Sequence, residues 1–120
     1  YMNPIPETPL KIGALAQVRG VSVRMLRFYE KMGLLTPARN AAGYRLYRAA
    51  DADLVRKVRL LNQAGVPLKD LALMRDCLRD APQHFCPDLR RRLLAQQAAI
   101  AQQIVELQQS KDLLTALLEQ

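Results

Sequence analysis

A chain of 120 residues, half of it apolar and carrying a formal charge of +7, has room for one compact domain plus an appendage. No stretch approaches the roughly 18 consecutive apolar residues of a membrane span, two cysteines make no disulfide framework, and one histidine with no Ser/His/acid pattern and no Gly-rich phosphate loop leaves no enzyme to argue for. The charge is lopsided: residues 1–65 hold 11 Lys/Arg against 4 Asp/Glu, residues 66–120 hold 7 against 7, so a basic half that meets a polyanion is joined to a neutral half with another task.

Nucleic acid and an anionic membrane surface are the candidate polyanions. No charged-then-apolar leader opens the sequence, so the chain reads as cytoplasmic, with no membrane partner. In that compartment Cys77 and Cys86 are expected as thiols, and Cys77, beside Met74 and Leu78, as a small buried apolar side chain. Met2 to Pro9 is a Pro-interrupted lead-in expected to lack regular structure. From Lys11, the residues Ile12, Leu15, Ala16 and Val18 stripe one side of a two-turn helix that Gly20 ends. Ser22 is an N-cap signal for a second helix, VRMLRFYEKM, which Gly33 stops. Two short helices around a tight turn are a helix-turn-helix candidate.

The second helix carries the most informative pattern. Met25, Leu26, Tyr29 and Met32 are expected to pack inward, while Arg24, Arg27, Phe28 and Lys31 fall on another face, three cations around one ring. A solvated basic face is the plain alternative. Leu34 to Pro37 breaks the pattern, and RNAAGYRLYR from Arg39 to Arg48 then reads as a small hairpin turning at Gly43. Alternation sets Arg45 and Tyr47 on one side of this wing and Tyr44, Leu46 and Arg48 on the other. The polar outer edge of a small sheet would also be rich in polar residues, but that does not explain why the wing is dense in Arg and Tyr and free of acids.

Asp51 is a plausible N-cap for a third helix, with Leu54, Val55, Val58 and Leu61 at helical spacing up to Gly65. Pro67 suits the first turn of a fourth, running through Leu71 and Leu78 and fading at Asp80. Residues 88–120 contain neither Gly nor Pro and predict one long helix. Its 3/4 seam is Leu93, Gln97, Ile100, Ile104, Leu107, Lys111, Leu114 and Leu118. A helix of that length with no core of its own is expected to pair with a copy of itself, and folding back on its own domain is the competing reading. The expected fold is therefore mostly α-helical: a winged helix-turn-helix domain over 10–80, a linker over 81–87 and a dimerisation helix over 88–120.

KIGALAQVRGVSVRMLRFYEKMGLL followed by ARNAAGYRLY resembles the signature of the MerR family of bacterial transcription regulators, closely over residues 10–75. The long helix resembles that family's antiparallel coiled-coil dimerisation helix in place and length. The resemblance implies that the helix from Ser22 to Met32 enters the major groove, with Arg24, Arg27, Phe28 and Lys31 near DNA. It implies too that Arg39, Tyr44, Arg45 and Tyr47 of the wing meet the backbone. Met25 stands where the family commonly has Thr, Phe28 where Tyr is common, and Pro67 where a capping Ser is common; the missing hydroxyl at Phe28 removes a possible phosphate hydrogen bond. The implied mechanism is a homodimer on a pseudo-palindromic operator in promoter duplex DNA. An effector-driven change of shape then distorts the DNA so that RNA polymerase, an indirect partner, engages the promoter.

Some members of that family sense metals through a Cys just before the dimerisation helix and further Cys residues in a loop after it. Cys86 stands in the first place, and His84 at i−2 could reach the same ion, so a thiophilic metal ion is a possible effector with Cys86 and His84 as candidate ligands. A redox or electrophile response through Cys86, or a small organic ligand, is the alternative. The alternative to DNA binding altogether is a helical protein–protein adaptor acting through its C-terminal coiled coil.

Overall fold

The structure, a computed structural model, describes residues 9–79 and 86–120. The chain divides into two units, one holding every element up to residue 79 and the other the long C-terminal helix. The proline-rich lead-in, His84 and most of the expected linker fall outside the described residues.

Two glycines frame the first unit. Helix α1 (Ile12–Arg19) ends where Gly20 turns left-handed at φ 64°, its N–H bonding back to Ala16 O, and helix α2 (Val23–Lys31) is followed by Gly33 at φ 84°. Between them Ser22 caps α2, its Oγ accepting from the Met25 N–H at 3.0 Å. The result is the expected helix-turn-helix. Leu15 and Ala16 of α1 and Leu26 and Tyr29 of α2 are buried. Met25 and Met32 are not buried as expected: Met25 is exposed and Met32, at the end of the helix, half-buried, because the Leu26 and Tyr29 pair already fills the inward stripe.

The wing belongs to a three-stranded antiparallel sheet rather than a free hairpin. Strand β3 (Arg45–Tyr47) lies between β1 (Leu10–Lys11) and β2 (Ala38–Arg39), with Leu10 opposite Tyr47 and Arg39 opposite Arg45. Leu10 and Lys11 precede α1 directly and show no alternation of their own, so only the pairing reveals them as a strand. The turn between β2 and β3 is built by Asn40, whose Oδ1 accepts from the N–H groups of Ala42 and Tyr44, both at 3.0 Å, with Gly43 at φ 86°.

Helix α3 (Ala49–Gln63) presents Leu54, Val55, Val58 and Leu61 to the core. Its N-cap is Arg48 and not Asp51; Asp51 sits at the third helical position and reaches back to accept the N-cap's own N–H, that of Arg48, at 2.9 Å. The expected fourth helix is broken into α4 (Leu68–Leu73) and α5 (Arg75–Arg79) at Met74, whose N–H is shared between the carbonyls of Asp70 and Leu71. Tyr47, Val66, Leu71 and Leu78 complete the core. The second unit is the single helix α6 (Pro87–Leu118), about 48 Å long at 1.5 Å per residue. Among the described residues no helix is long and apolar enough to cross a membrane.

Candidate nucleic-acid interface

Helix α2 separates its residues cleanly by face. Leu26 and Tyr29 point into the core, where burial pushes the Tyr29 hydroxyl above its ordinary pKa while the nearby Arg59 guanidinium pulls it back. Arg24, Arg27, Phe28 and Lys31 are all exposed, with Phe28 at 44% of its surface. None of the three cations makes an ion pair or hydrogen bond to a described residue. The sequence-predicted face is thus assembled and uncommitted.

Other basic side chains of the same unit are tied to carbonyls. Arg59 donates to Arg19 O at 2.7 Å, Arg19 Nε to Ala52 O at 3.0 Å, Arg75 to Gly33 O at 2.7 Å and Arg79 to Leu34 O at 3.2 Å. Arg19 ends α1, and Gly33 and Leu34 follow the end of α2, so Arg59, Arg75 and Arg79 donate to carbonyls at or just past these helix ends. They fix the angle at which α2 is presented.

In the wing, Arg45 Nε lies 2.5 Å from Glu30 Oε2, and Arg39 Nη2 lies 3.7 Å from Glu30 Oε1. Arg39 also donates from Nη1 to Gly43 O at 2.9 Å. Glu30, on α2, was not singled out by the sequence reading, although it is the only acid between Glu7 and Asp51. Tyr44 is exposed at 59%, with the Lys11 ammonium 4.9 Å from its ring centre, a cation–π arrangement.

Tyr47 corrects the expectation. Placed by the sequence among residues that meet DNA, it is wholly buried, because the face of β3 that it shares with Arg45 turns toward the core. Among the described residues its hydroxyl has no hydrogen-bond partner, and its pKa is raised first by burial and then by the Glu30 carboxylate. A side chain with no exposed surface touches no phosphate.

The seam residues of α6 are Leu93, half-buried, and Ile100, Ile104, Leu107, Leu114 and Leu118, all exposed; every residue from 97 to 120 is exposed. Leu94 and Leu117 flank the predicted seam, while Val105 and Leu113 stand on the outer side of the helix, all four exposed. Cys77 and Cys86 are both disulfide-bonded, against the expectation of thiols; that expectation argued from redox compartment, which carries no information on geometry. Among the described residues no group of three or more His, Cys, Asp or Glu could hold a metal ion.

Comparison with known proteins gives a consistent result. The profile of the MerR HTH family regulatory proteins matches residues 10–76. The transcriptional regulator CueR of Escherichia coli O6:H1 is 34% identical over 109 residues, which are 90% of this chain and 80% of that protein. Among solved structures, HiNmlR, a MerR family regulator lacking the sensor domain and bound to promoter DNA, superposes with a TM-score of 0.61 at 29% identity, covering 92% of this chain and 87% of the other. The regulator PbrR691 from Ralstonia metallidurans CH34, in complex with lead(II), gives 0.63 at 29% identity, covering 92% and 84%.

Proposed function

The chain belongs to the MerR family of helix-turn-helix transcription regulators, and from that premise we propose that it binds a pseudo-palindromic promoter operator as a homodimer, with α2 in the major groove and the wing on the flanking backbone. The observation that carries the reading is the cationic face of α2, on which Arg24, Arg27 and Lys31 are exposed and uncommitted around the Phe28 ring. In this reading Ser22 and Arg24, on the first turn, approach base edges, as the leading residues of a recognition helix do. Arg27 and Lys31 neutralise phosphates, and Phe28 offers its ring to a sugar or a thymine methyl. Arg39, Tyr44 and the outward end of Arg45 serve the backbone. Residues 10–80 form the DNA-binding domain and 88–120 the pairing helix, joined through 81–87. The promoter DNA in the HiNmlR complex supports the assignment of ligand.

The seam of α6 supports antiparallel pairing. Its spacing reads the same in both directions, so two antiparallel copies oppose Leu93 to Leu118, Gln97 to Leu114, Ile100 to Lys111 and Ile104 to Leu107. A parallel, in-register pair would set Lys111 against Lys111 in the seam; the antiparallel pair separates the two ammoniums by about 16 Å along the axis. It also brings Arg92 alongside Glu119.

Regulation then follows from two dimer conformations that differ in how they hold the operator. Distorting a site of 20–30 base pairs costs on the order of 1–6 kcal/mol, within reach of an effector that binds one conformation better. Metal-responsive relatives make a thiophilic ion a candidate effector; Cys86 is disulfide-bonded, and its sulfur would take a soft ion once reduced to the thiolate.

The test is duplex affinity as a function of salt. Arg27 and Lys31 of α2 in each of two protomers predict a log–log slope of about −3.6 from this helix, at ~0.9 per phosphate neutralised. Arg27→Ala should leave the dimer and its melting temperature unchanged while flattening that slope by about 2 across the dimer. A slope near zero would identify a protein–protein adaptor instead.

A further inference from the structure

The register of the wing places Arg39 directly opposite Arg45. Like charges directly opposite on antiparallel strands repel, and the wing contains no acid to separate them. The compensating anion comes from another element: the two oxygens of Glu30, on α2, face different guanidiniums, at 2.5 Å from Arg45 and 3.7 Å from Arg39. A bridging phosphate with two oxygens would satisfy the same pair of guanidiniums. The seat between the wing arginines is therefore an anion site already filled from within.

Resting on the DNA-binding reading, we propose that Glu30 is a specificity-determining positioning residue: its carboxylate fills the seat between Arg39 and Arg45, fastening the wing to the recognition helix and closing the seat to phosphates of non-cognate DNA. Non-cognate duplex, which is held by phosphate contacts alone, finds the seat between this pair of cations occupied and one of their two charges cancelled. On the operator, base contacts by α2 bring the wing to the flanking backbone as one rigid piece with the helix. Arg45 keeps its terminal nitrogens for that contact, since Nε faces the carboxylate. The single acid of α2 thus lowers affinity for DNA in general more than affinity for one sequence.

The experiment uses full-length protein, a duplex enriched by the wild type from a random pool, and a scrambled duplex of the same composition, with affinities read by fluorescence anisotropy across a salt series. Glu30→Gln keeps the size of the side chain and removes its charge. Its affinity for the scrambled duplex should rise, with a slope steeper by ~0.9 or more per protomer, and the preference for the enriched duplex should fall about tenfold. Adding Arg39→Gln should return the slope toward the wild-type value. Parallel weakening on both duplexes, with slopes unchanged, is what a purely structural role gives, and it would overturn the proposal. Arg39→Gln alone supplies an independent check that leaves Glu30 in place: the scrambled-duplex slope should not change, and a drop of ~0.9 per protomer would mean that Arg39 was open to phosphate all along. A wild type that enriches no duplex would instead overturn the regulatory reading on which this proposal stands.

Discussion

Replacing Tyr47 by Phe removes one oxygen from the core of the first unit. The ring has no exposed surface, and its hydroxyl has no hydrogen-bond partner among the described residues. Burying an unpaired hydroxyl costs about 1–3 kcal/mol by protein mutational data. Against this, the void left by one oxygen, roughly 10 Å³ at ~24 cal/mol per Å³, costs about 0.2 kcal/mol. The desolvation term is the larger, so Tyr47→Phe should stabilise the protein by about 1 kcal/mol or more, a rise of about 4–8 °C in melting temperature for each kcal/mol in a domain of 60–100 residues. Urea denaturation at fixed protein concentration is the assay, with a higher midpoint and an unchanged m value expected. Operator affinity should stay at the wild-type level. A fall in the midpoint would show that the hydroxyl is bonded in solution, and a fall in affinity at unchanged stability would restore Tyr47 to the DNA interface.

Replacing both Ile104 and Leu107 by Asp places four carboxylates at the centre of the antiparallel seam and should give monomers by sedimentation velocity, with the helix-turn-helix unit still folded; a persistent dimer would locate the interface elsewhere. Asp53 accepts from Arg56 at 2.9 Å and pairs with Lys57 at 3.1 Å; burial alone would raise its pKa, but the two partners outweigh burial and hold the carboxyl below its ordinary range. Its contribution is therefore present above the unfolded pKa of about 4 and lost as pH falls through the lower folded value. Asp53→Asn should be less stable than the wild type at pH 7 by no more than about 1 kcal/mol, since the site is half exposed, with the two curves converging below about pH 4. A difference that persists in acid would rule out the ion pair as its cause.

Local chemistry made much of this fold legible. Gly20 and Gly33 mark the helix ends because only a left-handed residue closes them cheaply, and Ser22 marks a helix start because its hydroxyl satisfies an orphan N–H. The cationic face of α2 followed from helical periodicity alone. What stayed hidden depends on pairing across the chain. Strand β1 is two residues long and exists because Leu10 and Lys11 reach Tyr47 and Leu46. Alternation in β3 assigned Arg45 and Tyr47 correctly to one side, but it cannot say which side meets the core, so Tyr47 was placed on DNA when it is buried. Glu30 needed the same kind of information, since its role depends on two arginines 9 and 15 residues away.

The division of the basic residues explains why net charge is a poor count of DNA contacts in a protein this small. A fold with short helices has many helix ends for its length, and each C-terminal end leaves carbonyls without partners. Arg59, Arg75 and Arg79 meet that need with donors long enough to reach carbonyls on neighbouring elements. Replacing them by apolar residues would leave those carbonyls unsatisfied, so part of the basic content, Arg59 in the first half of the chain and Arg75 and Arg79 in the second, is a structural requirement. The cations left over are on α2, where Gly20 and Gly33 bound the helix and Ser22 caps it, and in the wing, where Glu30 holds them. Rigid presentation of few charges favours sequence discrimination over general adhesion to DNA, because each mobile cation adds affinity for every phosphate alike.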